Sequence, residues 1–392
     1  MRKLALALSL VAYLLLWINF RAGQLISVVL VYGPTLLLAI PIALAAQRLC
    51  GEEPNVLALL HAHTLPTFAV VAALSMAYAV LYWDILAPNA LADGLSAEGL
   101  TVVITGANSG IGLASAQALR GIGATVVLGC RSHKRCEAAA AAVNAAGIAG
   151  PPAVAVSGLE LTSLKESRRW ARRVRGMTSG AARRGRLILV CNAGMASQET
   201  NLKTADGLQL MSGSMYLAHV AIHEVLRPER VVHSGSDTYH LCSWWMTPLL
   251  GSCLPDGFLR RGGAVHSGSD IVDYPRSKLL LMLHAHSVAR RGGRAYTVSY
   301  PWVQTNIQPF MQAVDWSKLG TMASADAAVA PLLFAVAASP AALDARGPNG
   351  GIFIPGIFRL LDPLFAPGFV GANTSALADE LWADTSALLA RL

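Results

Sequence analysis

The stretch Thr105-Gly106-Ala107-Asn108-Ser109-Gly110-Ile111-Gly112 decides how this chain is read. It follows Leu100–Thr105, a run with the Val and Ile content of a buried strand, and it precedes Leu113–Leu119, whose apolar spacing is helical. Glycines 106, 110 and 112 are what a strand-to-helix turn requires when a pyrophosphate must approach the backbone. Gly106 makes the tight turn, Gly110 permits the approach, and Gly112 lets helix and strand pack. Asn108, Ser109 and Ile111 complete the loop, and the phosphates meet the positive end of the helix.

Working outward, strand-like and helix-like runs alternate from about Ser96 to the end, which points to parallel βαβ units. The expected fold class is α/β, a Rossmann-like doubly wound parallel sheet over residues 96–392. The second strand, Thr125–Gly129, ends in Cys130-Arg131. A site built for NAD places an acid near this strand end, to hold the ribose hydroxyls. Arg131 offers instead a fork of donors suited to a 2′-phosphate, so the cofactor expected is NADP(H). A plain surface arginine is the alternative.

The N-terminal region reads differently. The 392 residues are 54% hydrophobic and only 14% charged, with mean hydropathy +0.47. A soluble domain carries about a quarter charged residues, so the composition excludes disorder and points away from a wholly soluble protein. Three apolar runs, about 4–20, 25–46 and 67–86, occupy a region 1–95, and a bilayer core takes roughly 20 apolar residues as helix. Two or three transmembrane helices are expected there. The alternative is a cleaved leader at Arg2-Lys3 and the leucine-rich run after it, followed by two spans. Orientation stays open, because flanking Lys and Arg are few. The expected setting is an integral membrane protein of the endoplasmic reticulum or an organelle inner membrane, in contact with membrane lipid. From Gly99 onward there are 27 basic and 18 acidic residues, so the formal charge of +8 belongs to the second region. Six cysteines without a CxxC pair argue against a disulfide scaffold or a zinc ribbon.

Further motifs follow in a fixed order. Asn192-Ala193-Gly194 comes after the strand Leu187–Cys191. A strand at Val231–Ser236 is next, then Tyr274-Pro275-Arg276-Ser277-Lys278, then Pro301-Trp302-Val303-Gln304-Thr305. With the glycine loop, these resemble the short-chain dehydrogenase/reductase family, and more narrowly its retinol-dehydrogenase-like branch, from about Gly99 to Leu392. The resemblance implies that Tyr274 is the general acid/base and that Ser236 orients the substrate carbonyl. It implies that Lys278 holds the nicotinamide ribose and lowers the tyrosine's pKa. It also puts Glu160, Asn192, Ala193, Gly194, Pro301, Val303 and Thr305 at the cofactor. The residues agree with this by themselves: a phenol of pKa about 10 works near neutrality only beside a fixed cation, and positions i and i+4 share a helix face.

Several positions depart from the family pattern. Glu160 stands for an aspartate, Cys191 for an asparagine, and Trp302 for a glycine. Met215 falls where the family's proton-relay asparagine lies, and a thioether cannot replace its hydrogen bonds. Positions 236 and 274 are separated by an insertion at about 237–273 that holds Trp244, Trp245, Cys242 and Cys253. An apolar insertion there suggests a lipophilic substrate or a membrane-facing lid; a packed excursion is the alternative. Its end repeats its beginning: Val232–Asp237 recurs as Val265–Asp270, so Ser269 competes with Ser236. Ser236 is preferred because it ends a strand.

Two functions are therefore expected. One is a membrane-anchored oxidoreductase passing a hydride between NADP(H) and a lipophilic alcohol/carbonyl small molecule. The other is a catalytically weak or inactive accessory subunit, bound to other membrane protein subunits and holding NADP(H) as a scaffold. A transporter needs charge within the spans, and only Arg21 is available.

Other features have bland readings. Nine basic residues against Glu166 between Lys165 and Arg186 fit anionic lipid, an acidic partner or a solvated face. Nucleic acid is not expected, since Trp170 is the one aromatic there. No metal site is expected: His61 and His63 read as a polar loop, His219 and His223 as a helix-surface pair, and His284 and His286 receive no role. Ala378–Leu389 reads as a last amphipathic helix.

Overall fold

A computed structural model describes residues 94–145, 151–196, 202–242, 253–254, 270–300, 303, 305, 307, 324–353 and 374–392. Seven strands form one parallel sheet in the order β3-β2-β1-β4-β5-β6-β7. They are β1 (Thr101–Thr105), β2 (Thr125–Gly129), β3 (Val154–Val156), β4 (Leu187–Cys191), β5 (Arg230–Ser234), β6 (Arg294–Val298) and β7 (Ile352–Phe353). Parallel strands need crossovers, and most of these are helices: α1 (Gly110–Gly121), α2 (His133–Ala145), α3 (Leu164–Arg183), α4 (Ala218–Leu226) and α5 (Asp270–Arg290). Beyond β6 come α6 (Ala325–Ala328), α7 (Ala330–Ala337) and α8 (Pro340–Asp344), and α9 (Thr374–Arg391) follows β7. This is the Rossmann-like doubly wound arrangement expected.

Alternation along the strands builds the layers. In β1, Val102 and Ile104 face a core shared with Leu119, Val143 and Leu332, while Val103 faces one shared with Trp170, Val174 and Ile222. Both strand faces are therefore apolar, as a sheet covered on two sides requires. Fully burying one such Val or Ile contributes about 1.5–3 kcal/mol. Arg230 is buried at the foot of β5, where its Nη1 donates to the carbonyls of Ala335, Val336 and Ala338. Those acceptors are the open end of α7, so one guanidinium satisfies carbonyls that the helix leaves unpaired.

The expected strands β2 and β4 have the bounds read from sequence. β5 ends at Ser234 instead of Ser236, so Ser236 sits in the loop just past the strand. α5 begins at Asp270, which places the last residues of the expected 237–273 insertion inside a helix. Of the rest of that insertion, a short 3-10 turn at Asp237–Cys242 and residues 253–254 are described. Two disulfides join Cys130 to Cys136 and Cys242 to Cys253. They are local clips, six and eleven residues apart, and not a scaffold. The apolar runs 4–20, 25–46 and 67–86 and the pair His61 and His63 lie outside the described residues. Among the described residues no helix is long and apolar enough to cross a membrane.

Candidate active site

Strand order reverses between β3-β2-β1 and β4-β5-β6, and the carboxyl ends of β1 and β4 face the crevice where such sheets bind ligands. Gly106 leaves β1 with φ of 67°, a left-handed turn favouring glycine, and a Cβ there would meet Ala193 Cα at 2.8 Å. At Gly112 a Cβ would stand 2.5 Å from the Gly106 carbonyl and from Asn192 Nδ2. The loop is thus packed against the Asn192-Ala193 turn with no room for side chains. A Cβ at Gly110 would sit 3.2 Å from Thr305 Cγ2, which brings Thr305 to the same mouth. Ser109 precedes α1 without a side-chain cap, and the first turn of α1 holds no acid. A phosphate fits this cradle: no acidic side chain repels it, and no serine cap competes for the amides.

Thr105 ties the two loops together. Its hydroxyl oxygen accepts from the amides of Asn192 at 2.9 Å and Ala193 at 3.0 Å, and shares a 2.9 Å bond with His219 Nε2. His219 Nδ1 lies 2.6 Å from the Met215 carbonyl, which can only accept, so Nδ1 carries the proton. Burial pushes the His219 pKa down to about 4; the Met215 bond opposes that shift and Lys278 adds to it. The neutral ring therefore offers a bare Nε2, and Thr105 donates to it. Asn192 Nδ2 in turn donates to the Thr105 carbonyl at 2.9 Å, and Ser234 Oγ reaches Asn192 Oδ1 at 3.3 Å.

Tyr274 and Lys278 stand on α5, one turn apart. Lys278 is buried, and its Nζ donates to the Ser234 carbonyl at 2.8 Å. Burial lowers its pKa to about 8. The same Nζ lies 5.4 Å from the centre of the Tyr274 ring and 3.7 Å from where a Cβ on Gly194 would be. Burial raises the Tyr274 pKa to about 12, and a hydrogen bond with Ser236 pulls the other way. Lys278 thus stands by the ring and directs its proton to a backbone carbonyl. Ser236 Oγ also accepts from Thr238 N at 3.3 Å and Thr238 Oγ1 at 3.1 Å, which fixes it beside the tyrosine.

The sequence-derived set therefore converges at Ser236, Tyr274 and Lys278, beside Asn192, Ala193 and Gly194. Val303 is buried in the core on the α1 side of the sheet. Arg131 is exposed just past β2, and its carbonyl accepts from Gly158 N. Glu160 Oε1 accepts from Thr162 N and Thr162 Oγ1 at 3.1 and 2.7 Å, so this carboxylate organises its own turn ahead of α3. Pro301, Trp302 and Ser269 lie outside the described residues.

Met215 occupies a π-helical turn, Ser212–Leu217. Its Sδ accepts from Met195 N at 3.3 Å and would lie 3.3 Å from a Cβ on Gly194. The thioether fills the space behind the lysine. The histidines correct their sequence reading. His219 is fully buried, and His223, His233 and His284 gather with it where α4, β5 and α5 meet, with a 2.9 Å bond between His233 Nε2 and His284 Nδ1. Trp382 stacks on His284 at 5.9 Å. They are scattered along the chain between positions 219 and 284, which gave no local signal. Among the described residues no group of three or more His, Cys, Asp or Glu could hold a metal ion.

The fold and these contacts define a Rossmann-like α/β domain with a serine–tyrosine–lysine set at its crevice. Comparison with known proteins agrees: residues 100–217 match the family model described as short chain dehydrogenase. Retinol dehydrogenase 13 of Mus musculus is 31% identical over 164 residues, covering 40% of this chain and 47% of the relative. Retinol dehydrogenase 14 of Homo sapiens is 32% identical over 161 residues, 36% and 46% of the two chains. The chain spans about half the length of these curated relatives. Retinol dehydrogenase 11 of Homo sapiens is 30% identical over 229 residues, 56% and 65% of the two. The crystal structure of an uncharacterized protein from Mycobacterium paratuberculosis superposes with a TM-score of 0.51 at 24% identity, covering 76% of this chain and 97% of that one. That last likeness concerns the fold. In sequence the chain is short-chain-dehydrogenase-like, with retinol dehydrogenases among its relatives.

Proposed function

We propose that this protein is a membrane-anchored oxidoreductase that transfers a hydride between NADP(H) and a lipophilic alcohol/carbonyl pair. The observation that carries the reading is the convergence of Ser236, Tyr274 and Lys278 beside the glycine cradle. The relatives' names support a lipophilic alcohol of the retinol kind, and the apolar runs in residues 1–95 support a bilayer anchor.

The loop Gly106–Gly112 and the first turn of α1 would hold the pyrophosphate, and Arg131 the 2′-phosphate. Thr305, at the mouth beside Gly110, and the Asn192–Gly194 turn would flank the nicotinamide half, with Lys278 on its ribose. When bound, the cofactor supplies or accepts the hydride. Ser236 holds the substrate oxygen toward Tyr274. With its pKa at about 12, Tyr274 keeps its proton at neutral pH and delivers it to the carbonyl oxygen, which suits reduction. Lys278 supplies the cation that steadies the resulting phenolate.

A second reading has one observation in its favour. Met215 places a thioether where a relay amide is expected, which fits an accessory subunit of a membrane complex that keeps NADP(H) as a scaffold. Purification of the full chain in mild detergent separates the two. The enzyme reading expects bound nicotinamide by absorbance and turnover of long-chain aldehydes by a solitary protein. Bound nicotinamide with no turnover, together with stable co-purifying membrane chains, contradicts it.

A further inference from the structure

Helix α3 carries a density of positive charge that neither the sheet nor the active site uses. Its apolar side is committed, with Trp170, Ala171, Val174 and Ala181 buried against the sheet. Lys165, Arg169, Arg172, Arg173 and Arg175 are all exposed or partly so along the helix, and Met177 is 54% exposed among them. Among the described residues compensation is small. Glu166 stands 3.6 Å from Arg169, Glu224 faces Arg168, and Glu229 lies near Gly185. The charge also continues off the helix: Arg173 donates to the Ser157 carbonyl, and Ser157 Oγ bonds His133, beside exposed Lys134 and Arg135.

A solvated helix face ordinarily mixes both signs. This one spans about 30 Å at 1.5 Å per residue, nearly all of one sign, with an apolar side chain set into it. Arginine forks match phosphate oxygens, and an exposed methionine between them suits the boundary where headgroups give way to acyl chains. Nucleic acid fits poorly, because Trp170 is 2% exposed and unavailable for stacking. The apolar runs that end shortly before the domain begins would bring a bilayer within reach. We infer that the exposed face of α3 docks on an anionic lipid surface, apart from any hydride chemistry.

Arginine footprinting of the full chain with phenylglyoxal at trace extent, read by mass spectrometry, tests this whether or not residues 1–95 insert. The chain is mixed with vesicles of phosphatidylcholine alone, or of phosphatidylcholine with about 30% phosphatidylserine, an anionic surface of the kind that attracts basic segments. Labelling at Arg169, Arg172 and Arg175 should fall about threefold or more on the serine-lipid vesicles and recover in about 0.5 M NaCl. Arg346, on the far side of the sheet, should be unchanged. In an Arg169→Glu/Arg173→Glu variant, the protection at Arg172 and Arg175 should drop to less than half. Equal labelling on both vesicles, protection that survives salt, or an equal fall at Arg346 overturns the inference. So does protection that appears with polyglutamate but not with vesicles, which assigns the face to an acidic protein.

Discussion

His219 shows how one buried side chain can set a binding loop. Its Nδ1–H is spent on the Met215 carbonyl, so its bare Nε2 orients the Thr105 hydroxyl, and Thr105 then accepts from Asn192 and Ala193. His219→Leu should leave the Met215 carbonyl without the ring N–H and turn the Thr105 hydroxyl toward the Val190 carbonyl 3.3 Å away, at a cost of about 2 kcal/mol in stability. It should also weaken NADPH binding by about tenfold, measured by nicotinamide fluorescence. Unchanged affinity would show that the Asn192 turn holds its shape without the histidine. Lys278 gives a second expectation. With its pKa at about 8, the ammonium is lost as pH rises through that value, and an anionic cofactor favours the protonated form. The dissociation constant for NADPH should be flat below about pH 8 and rise by up to about tenfold per unit above it. A flat profile from about pH 7 to 9.5 would remove Lys278 from cofactor binding.

At the scale of elements, β5, α4 and α5 meet through histidines that must stay neutral. His219 and His223 titrate at about 4 in the fold, lowered first by burial, against about 6.5 in an unfolded chain. His233 and His284 are lowered too, first by burial and then by His219 and His223, with His233 adding to His284 and Lys278 to His233. Between the two values the unfolded state binds more protons. Stability is therefore full above about pH 6.5 and falls as pH drops toward about 4. At about pH 5 the loss is on the order of 2 kcal/mol for each of His219 and His223. Urea midpoints at about pH 7.5 and about pH 5 measure it, and equal midpoints would contradict the buried neutral cluster. This cluster was not legible in sequence, because its members come from one strand and two helices that only the sheet order brings together. β2 and β4 were legible to the residue, since each is an unbroken apolar run closed by a turn. The glycine loop and the Tyr274–Lys278 helix were legible for a related reason: their chemistry is local. The Cys130–Cys136 clip was not, because a spacing of six fits no signature and depends on α2 folding back on β2.

At the scale of the molecule, the greasy composition and the positive charge belong to different parts of the chain. The charge lies in a doubly wound sheet whose crevice gathers the glycine loop and the Ser236, Tyr274 and Lys278 side chains. The apolar excess lies in the runs 4–20, 25–46 and 67–86, outside the described residues. Hydride transfer at this crevice, with Tyr274 as the proton carrier, is tested most directly by Tyr274→Phe. The ring and its packing remain while the hydroxyl is lost. Aldehyde reduction at saturating substrate is measured alongside the NADPH dissociation constant of the same preparation. If Tyr274 carries the proton, the turnover rate should drop by about 100-fold or more, consistent with the roughly 10²–10⁴ contributed by a positioned acid. NADPH affinity should stay within about threefold of the wild type. Full activity in the Phe variant, on any substrate the wild-type chain turns over, would contradict the assignment.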